Sequence, residues 1–158
     1  MSDVTNPLPI LDGLGIILVC LVLAVATVLI HMLVLFLLRT RLRKVEPTRN
    51  HRLHVVRETI AVSTIVVSLS LAHLAEIVIW GIGYLTIGAL HDTTDAIYFS
   101  MTMYTTVGPD GVSIPPAFRG VAGFESLIGP IMVAWSTAFL VASVTRLRES
   151  FIESDPPR

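Results

Sequence analysis

Three long stretches of this chain carry almost no charge, and no other feature limits its fold so strongly. The first runs from Gly13 to Leu38, with Cys20 and His31 as its only ionisable side chains. As a helix its 26 residues reach about 39 Å, enough to cross a hydrocarbon core of about 30 Å with some tilt. The second runs from about Thr59 to Leu90 and the third from about Val121 to Val144. Across the 158 residues 53% are hydrophobic and only 15% charged, against about 25% in soluble domains. Apolar residues gathered in blocks belong in a bilayer, not in the core of one soluble domain. A balance of 11 Lys+Arg against 12 Asp+Glu argues against a nucleic-acid binder, and the single cysteine, Cys20, rules out a disulfide scaffold. Little is left for a soluble catalytic domain, and no nucleophile–base pair stands out, so no enzyme is expected.

Charge sets the orientation. Asp3 and Asp12 precede the first block, whereas Arg39, Arg41, Arg43 and Lys44 follow it, the reverse of a cleaved signal peptide. Residues 39–57 hold seven of the eleven basic residues, with Glu46 as the only acid before Arg57. The positive-inside rule places this linker in the cytoplasm and the N-terminus outside. Pro47 and Asn50 break any continuous helix there, and His51 and His54 read as solvated loop histidines. Arg146 and Arg148 close the third block on the same side, so the span count and the charges agree. The tail from Glu149 to Arg158 is too short and polar to fold alone.

Between the second and third blocks lies a segment from Asp92 to Arg119, on the outer side. Thr93, Thr94 and Asp95 resemble a helix start, and residues 96–104 predict a helix of two to three turns, too short to span. Thr105-Thr106-Val107-Gly108-Pro109-Asp110-Gly111 cannot continue it. A short helix plus extended backbone between two spans predicts a re-entrant loop, tolerated at membrane depth only where protein buries it or water lines it.

Thr105-Thr106-Val107-Gly108 after an aromatic-rich short helix resembles the potassium-channel signature T-T-V-G-Y-G-D. The wider frame is similar to small bacterial channels of the two-transmembrane ion-channel family. It comprises Ala96-Ile97-Tyr98-Phe99-Ser100, Pro115/Pro116, Phe118-Arg119-Gly120, Glu125, Trp135-Ser136-Thr137-Ala138, and His73, Glu76, Trp80 and Tyr84 upstream. The resemblance covers roughly residues 60–147. It implies a filter of backbone carbonyls contributed by four chains, hence a homotetramer, with K+ or Na+ as the permeant ion. The implied filter is Thr105, Thr106, Val107, Gly108, Pro109, Asp110 and Gly111. Its outer half departs from the family. Without a gap, Pro109 replaces the tyrosine and Asp110 the second glycine. With one residue inserted, Asp110-Gly111 matches the D-G of non-selective sodium/potassium filters. Either way the inner sites persist and the outer ones are disturbed, so the expectation is weakened or altered potassium selectivity. A strictly potassium-selective channel and a non-conducting sensor or subunit on the same scaffold are the alternatives.

Other polar residues lie at membrane depth. His73 and Glu76 share a helical face, and Glu125 opens the third span. They read as one hydrogen-bonded brace, or, more sharply, as a metal or proton site that gates the pore. The H-E-x-x-H of a zinc protease is absent, and neither a cofactor nor a resident metal is expected. His31 and Cys20 read as packing residues. Trp80, Tyr84, Tyr98, Tyr104 and Trp135 read as packing and interface anchors. Gly129-Pro130 predict a kink, either a gating bend or a static one. Met132, Ser136, Leu140 and Ser143 or Val144 fall on one stripe and are expected to line an inner cavity.

The expected organisation follows. An all-α membrane protein of three spans and one re-entrant loop sits in the inner or plasma membrane, with lipid and its own copies as partners. Residues 1–12 lie outside, 13–38 form an extra span, and 39–58 a basic cytoplasmic linker. Residues 59–147 form the pore domain, with an outer helix at 59–90, a pore helix at 93–104, a filter at 105–111 and an inner helix at 121–145. Residues 148–158 are a cytoplasmic tail.

Overall fold

The structure, a computed structural model, describes residues 13–42 and 51–154. The described residues form four α-helices and one short 3-10 turn: α1 (Gly13–Leu42), α2 (His51–Thr86), α3 (Thr93–Tyr104), the turn Pro116–Phe118, and α4 (Arg119–Ser154). No strand occurs among the described residues. Among the described residues three helical stretches are long and apolar enough to cross a membrane: Leu14–Leu42, Val55–Thr86 and Pro116–Glu149. At 29 to 34 residues they reach about 43 to 51 Å, so each extends past a hydrocarbon core of about 30 Å. The protein is therefore a multi-pass membrane protein.

Helix bounds differ from the expected ones for local reasons. Residues 39–42 continue α1, and residues 51–58 already belong to α2, so only 43–50 of the basic linker fall outside the described residues. Arg39 and Arg41 occupy the last turn of α1, where cations favour the exposed carbonyls. His51 and His54 are helical. The second helix stops at Thr86 rather than at residue 90. Gly88 turns left-handed (φ 73°), and the Ala89 and Leu90 amides return to the Tyr84 carbonyl. The tail expected from residue 148 continues α4 as far as Ser154.

α3 starts where a polar cap precedes an apolar run. Asp92 is that cap: its carboxylate accepts from the Thr94 amide at 2.8 Å and the Asp95 amide at 3.0 Å. Asp95 adds a negative charge to the first turn. The helix packs against both α2 and α4, and α1 packs against the same two helices. The main core joins all four. Trp80, Tyr84, Ala96, Phe99, Val121, Ala122 and Cys20 are buried together, with the Tyr84 and Phe99 rings edge to face at 5.0 Å. Trp80 Nε1 donates to Thr27 Oγ1 at 3.0 Å, which ties α1 to α2 at full depth. A second cluster, Leu35, Leu38, Ile65 and Leu69, holds the other ends of α1 and α2.

Candidate functional site

The loop after α3 carries the least usual backbone in the chain. Thr105 ends the helix, its amide returning to Met101 and its hydroxyl to the Met101 carbonyl at 2.8 Å. Thr106 then takes φ 61° and Gly108 takes φ 82°. A β-branched residue in the left-handed region costs about 1–3 kcal/mol, so the surroundings must impose it. Two amides pin the loop back on the helix: Thr106 N to Met103 O at 3.0 Å and Gly108 N to Thr102 O at 3.1 Å. Val107 lies between them with 78% of its surface exposed. Pro109, Asp110 and Gly111 are exposed as well, and the next left-handed residue is Gly111 (φ 76°), not Asp110.

α4 presses against the end of this helix. A Cβ built on Gly129 would collide with the Tyr104 carbonyl, so only glycine permits the approach. Ser126 Oγ donates to the Met103 carbonyl at 3.1 Å, supplying one of the partners that a helix C-terminus lacks. Gly129 is thus a contact point for α3. Pro130 follows it inside a continuous α4 and is exposed.

The polar residues expected to form one brace form two. The first cluster surrounds Glu76, which is fully buried. His31 Nδ1 lies 2.8 Å from Glu76 Oε1, and His73 Nδ1 lies 3.4 Å from Glu76 Oε2. The Tyr104 hydroxyl donates to Glu76 Oε2 and lies 2.8 Å from His73 Nδ1. Ser136 Oγ closes the ring, 3.3 Å from His31 Nε2 and 3.0 Å from His73 Nε2. One residue from α1, two from α2, one from α3 and one from α4 meet here. The second cluster surrounds Glu125, also fully buried. Tyr84 donates to its Oε2 at 2.6 Å, and Ser100 Oγ lies 2.6 Å from its Oε1 and 2.8 Å from the Ile77 carbonyl. It ties α2, α3 and α4. No buried polar side-chain atom among the described residues lacks a hydrogen-bond partner, as membrane depth demands.

His31, Tyr84 and Tyr104, expected only to pack, are thus direct partners of the two glutamates. The signal available in the sequence was their polarity inside apolar spans, but pairing them needs the helix packing.

One family's sequence pattern, described as that of an ion channel, matches residues 59–146, more than half of the chain. This chain belongs to the ion channel family. Its kind is the two-transmembrane, potassium-channel-like one. No curated protein and no solved structure matches the chain significantly. The matched stretch of the channel takes in most of α2, all of α3 and the loop, and α4 up to residue 146; α1 lies outside it. The family points to a role in ion transport.

In this channel the residues of the stripe expected to line a cavity make contacts within their own chain. Met132 is buried against Ile77 and Tyr104, Ser136 meets the two imidazoles, Leu140 packs on the Leu35–Leu69 cluster, and Ser143 is buried. Met132, Ser136 and Leu140 thus contact other helices of their own chain, Leu140 while still half-exposed. Small and polar residues at helical spacing read alike whether they meet water or a buried polar cluster. Ile131, Trp135 and Val141 lie on the exposed part of α4.

Proposed function

We propose that four copies of this chain form a cation channel, passing monovalent cations with weakened or altered potassium selectivity. The observation that carries this reading is the left-handed backbone at Thr106 and Gly108, two residues apart at the end of α3. Carbonyls along an ordinary strand point alternately to opposite sides. Reversing the hand at every second residue turns them to one side, as a filter that replaces an ion's water shell needs. The negative end of α3 lies beside them and favours a cation.

Past Gly108 the alternation stops. Residue 110 would continue it, but Pro109 fixes its own φ, and the hand reverses only at Gly111. This supports the reading of Asp110-Gly111 as the D-G of a non-selective filter with one inserted residue. Inner sites from Thr105 to Gly108 remain and outer ones are lost. Fewer consecutive sites weaken discrimination between K+ and Na+. Asp110 carboxylates at one mouth raise the local cation concentration.

Orientation follows from the basic residues. Arg148 Nε lies 3.7 Å from Glu58 Oε1, so the end of α4 meets the start of α2. Arg39 and Arg41 mark the same side on α1, and the positive-inside rule makes it cytoplasmic.

The test is the reversal potential of the purified protein in a planar bilayer, with K+ on one side and Na+ on the other. A value near zero is expected. A large K+-favouring value would show that the inner sites alone select K+. No current from verified tetramers would favour a non-conducting scaffold.

A further inference from the structure

We propose that His31, His73, Glu76 and Tyr104 form a binding site for a divalent transition-metal ion of the zinc type, with Ser136 holding both imidazoles from behind. Ligand atoms of His31, His73 and Glu76 all lie within 4.8 Å of one another. Tyr104 Oη is 2.8 Å from His73 Nδ1 and donates to the Glu76 carboxylate, which makes a fourth donor on the same spot. In a tetrahedral site with bonds of about 2.0–2.1 Å, neighbouring ligand atoms sit about 3.4 Å apart. His73 Nδ1 already lies 3.4 Å from Glu76 Oε2, whereas His31 Nδ1, 2.8 Å from Glu76 Oε1, and Tyr104 Oη, in closer contact with Oε2, would have to move apart by about half an ångström or more to admit the ion.

The orientation of the two imidazoles is the decisive feature. Both direct Nδ1 at one carboxylate, and both direct Nε2 at one serine oxygen. Suppose both rings are neutral and carry hydrogen on Nδ1. Then both Nε2 atoms need a donor, and the Ser136 hydroxyl has one hydrogen to give. With hydrogen on His73 Nε2 instead, His73 donates to Ser136 and its Nδ1 competes with Glu76 for the one hydrogen of Tyr104, so in either tautomer one hydrogen is shared between two acceptors. A metal ion on the two Nδ1 atoms removes the conflict. Both Nε2 atoms then carry hydrogen, and the two lone pairs of Ser136 accept one each. A ligating histidine whose other nitrogen is held by a fixed acceptor is the usual arrangement at metal sites.

Charge points the same way. An ion of charge +2 facing the Glu76 carboxylate and a Tyr104 phenolate leaves no net charge at membrane depth, where an uncompensated one is costly. The proton displaced from Tyr104 leaves on binding. Two imidazole nitrogens and two oxygens suit zinc, cobalt or nickel better than soft Cu(I). The site would join α1, α2 and α3 directly and α4 through Ser136. That gives α1, which lies outside the matched stretch, a place in the pore assembly. Tyr104 immediately precedes Thr105, so the site would be tied to the start of the proposed filter through one side chain. The assignment does not depend on conduction, because metal can be measured on protein that passes no current.

The experiment uses the full chain in detergent, stripped with chelator, re-equilibrated with Zn2+ or Co2+ and freed of excess. Expected are one metal per chain by elemental analysis and the intense visible absorption of tetrahedral Co2+. Ser136→Ala should keep that stoichiometry at saturation but weaken affinity by about 10- to 100-fold. Glu76→Gln, close in shape, should lose it further, while His91→Ala, at an exposed position, should match the unaltered protein. Well-assembled protein that retains no metal, or a Glu76→Gln protein that binds as tightly as the original, would overturn the assignment. So would histidine NMR showing a pH titration of the imidazole pair that Zn2+ leaves unchanged, since a proton would then be the cation the cluster takes.

Discussion

A glycine at the contact between α3 and α4 decides how close the two backbones come. Gly129 faces the Tyr104 carbonyl where no Cβ fits, and that carbonyl belongs to the residue before the loop. Gly129→Ala must push backbone, not a flexible side-chain end. Overpacking of this kind costs about 1–3 kcal/mol. The expected outcome is a lower thermal midpoint for the detergent-solubilised protein and a displaced loop, read as altered or lost current. An unchanged midpoint would mean the helices lie farther apart than described. Tyr84 gives a second test. Tyr84→Phe preserves the ring against Phe99 but leaves buried Glu125 with Ser100 as its remaining described partner. Depriving a buried group of a partner costs about 1–3 kcal/mol. Thermal unfolding of the variant should show that loss. A stability equal to the original would place water at Glu125.

At the scale of elements, the three apolar helices and the short α3 were legible because composition and length suffice to find them. The capping pattern near Thr93 was legible too, although the cap itself is Asp92. What the sequence hid was rotation about each helix axis. Ser136 and Met132 look like cavity residues until α1 and α3 are seen to cover them. His31, a lone polar residue in α1, finds Glu76 on α2 only after packing. The basic linker hid a different thing: Arg39 and Arg41 are helical because cations suit a helix end, and charge alone does not distinguish that from loop. For the loop the prediction is electrostatic. Asp110 is exposed, so Asp110→Asn should lower single-channel current at low ionic strength. The deficit should vanish near 1 M salt, where the Debye length is about 3 Å against about 30 Å at 0.01 M. A deficit equal at all salt concentrations would mean that the carboxylate shapes the loop and does not act through its field.

At the scale of the whole molecule, the chain has surplus surface that its own fold does not use. Val107 is 78% exposed in the middle of the loop, and Leu127, Ile131, Val133 and Val141 stand out from α4. Lipid can cover apolar helix faces, but irregular backbone within a bilayer must be covered by protein or line water. One chain offers one such loop, whereas a carbonyl cage needs several converging on an axis. The four-chain assembly proposed above would satisfy both demands, closing a ring with identical contacts between neighbours. In that ring α1 sits beyond the matched stretch and yet is bound to it through Trp80–Thr27 and Glu76–His31, so it should travel with its own pore unit. Native mass measurement from mild detergent should therefore find a particle of four chains of 17.2 kDa each. Deleting residues 1–42 should lower the yield of that particle and destabilise what remains, because Trp80 and Glu76 lose buried partners. Monomers of full helical content would sink the four-chain reading, and a truncated chain assembling as well as the whole would show that α1 is dispensable to the pore.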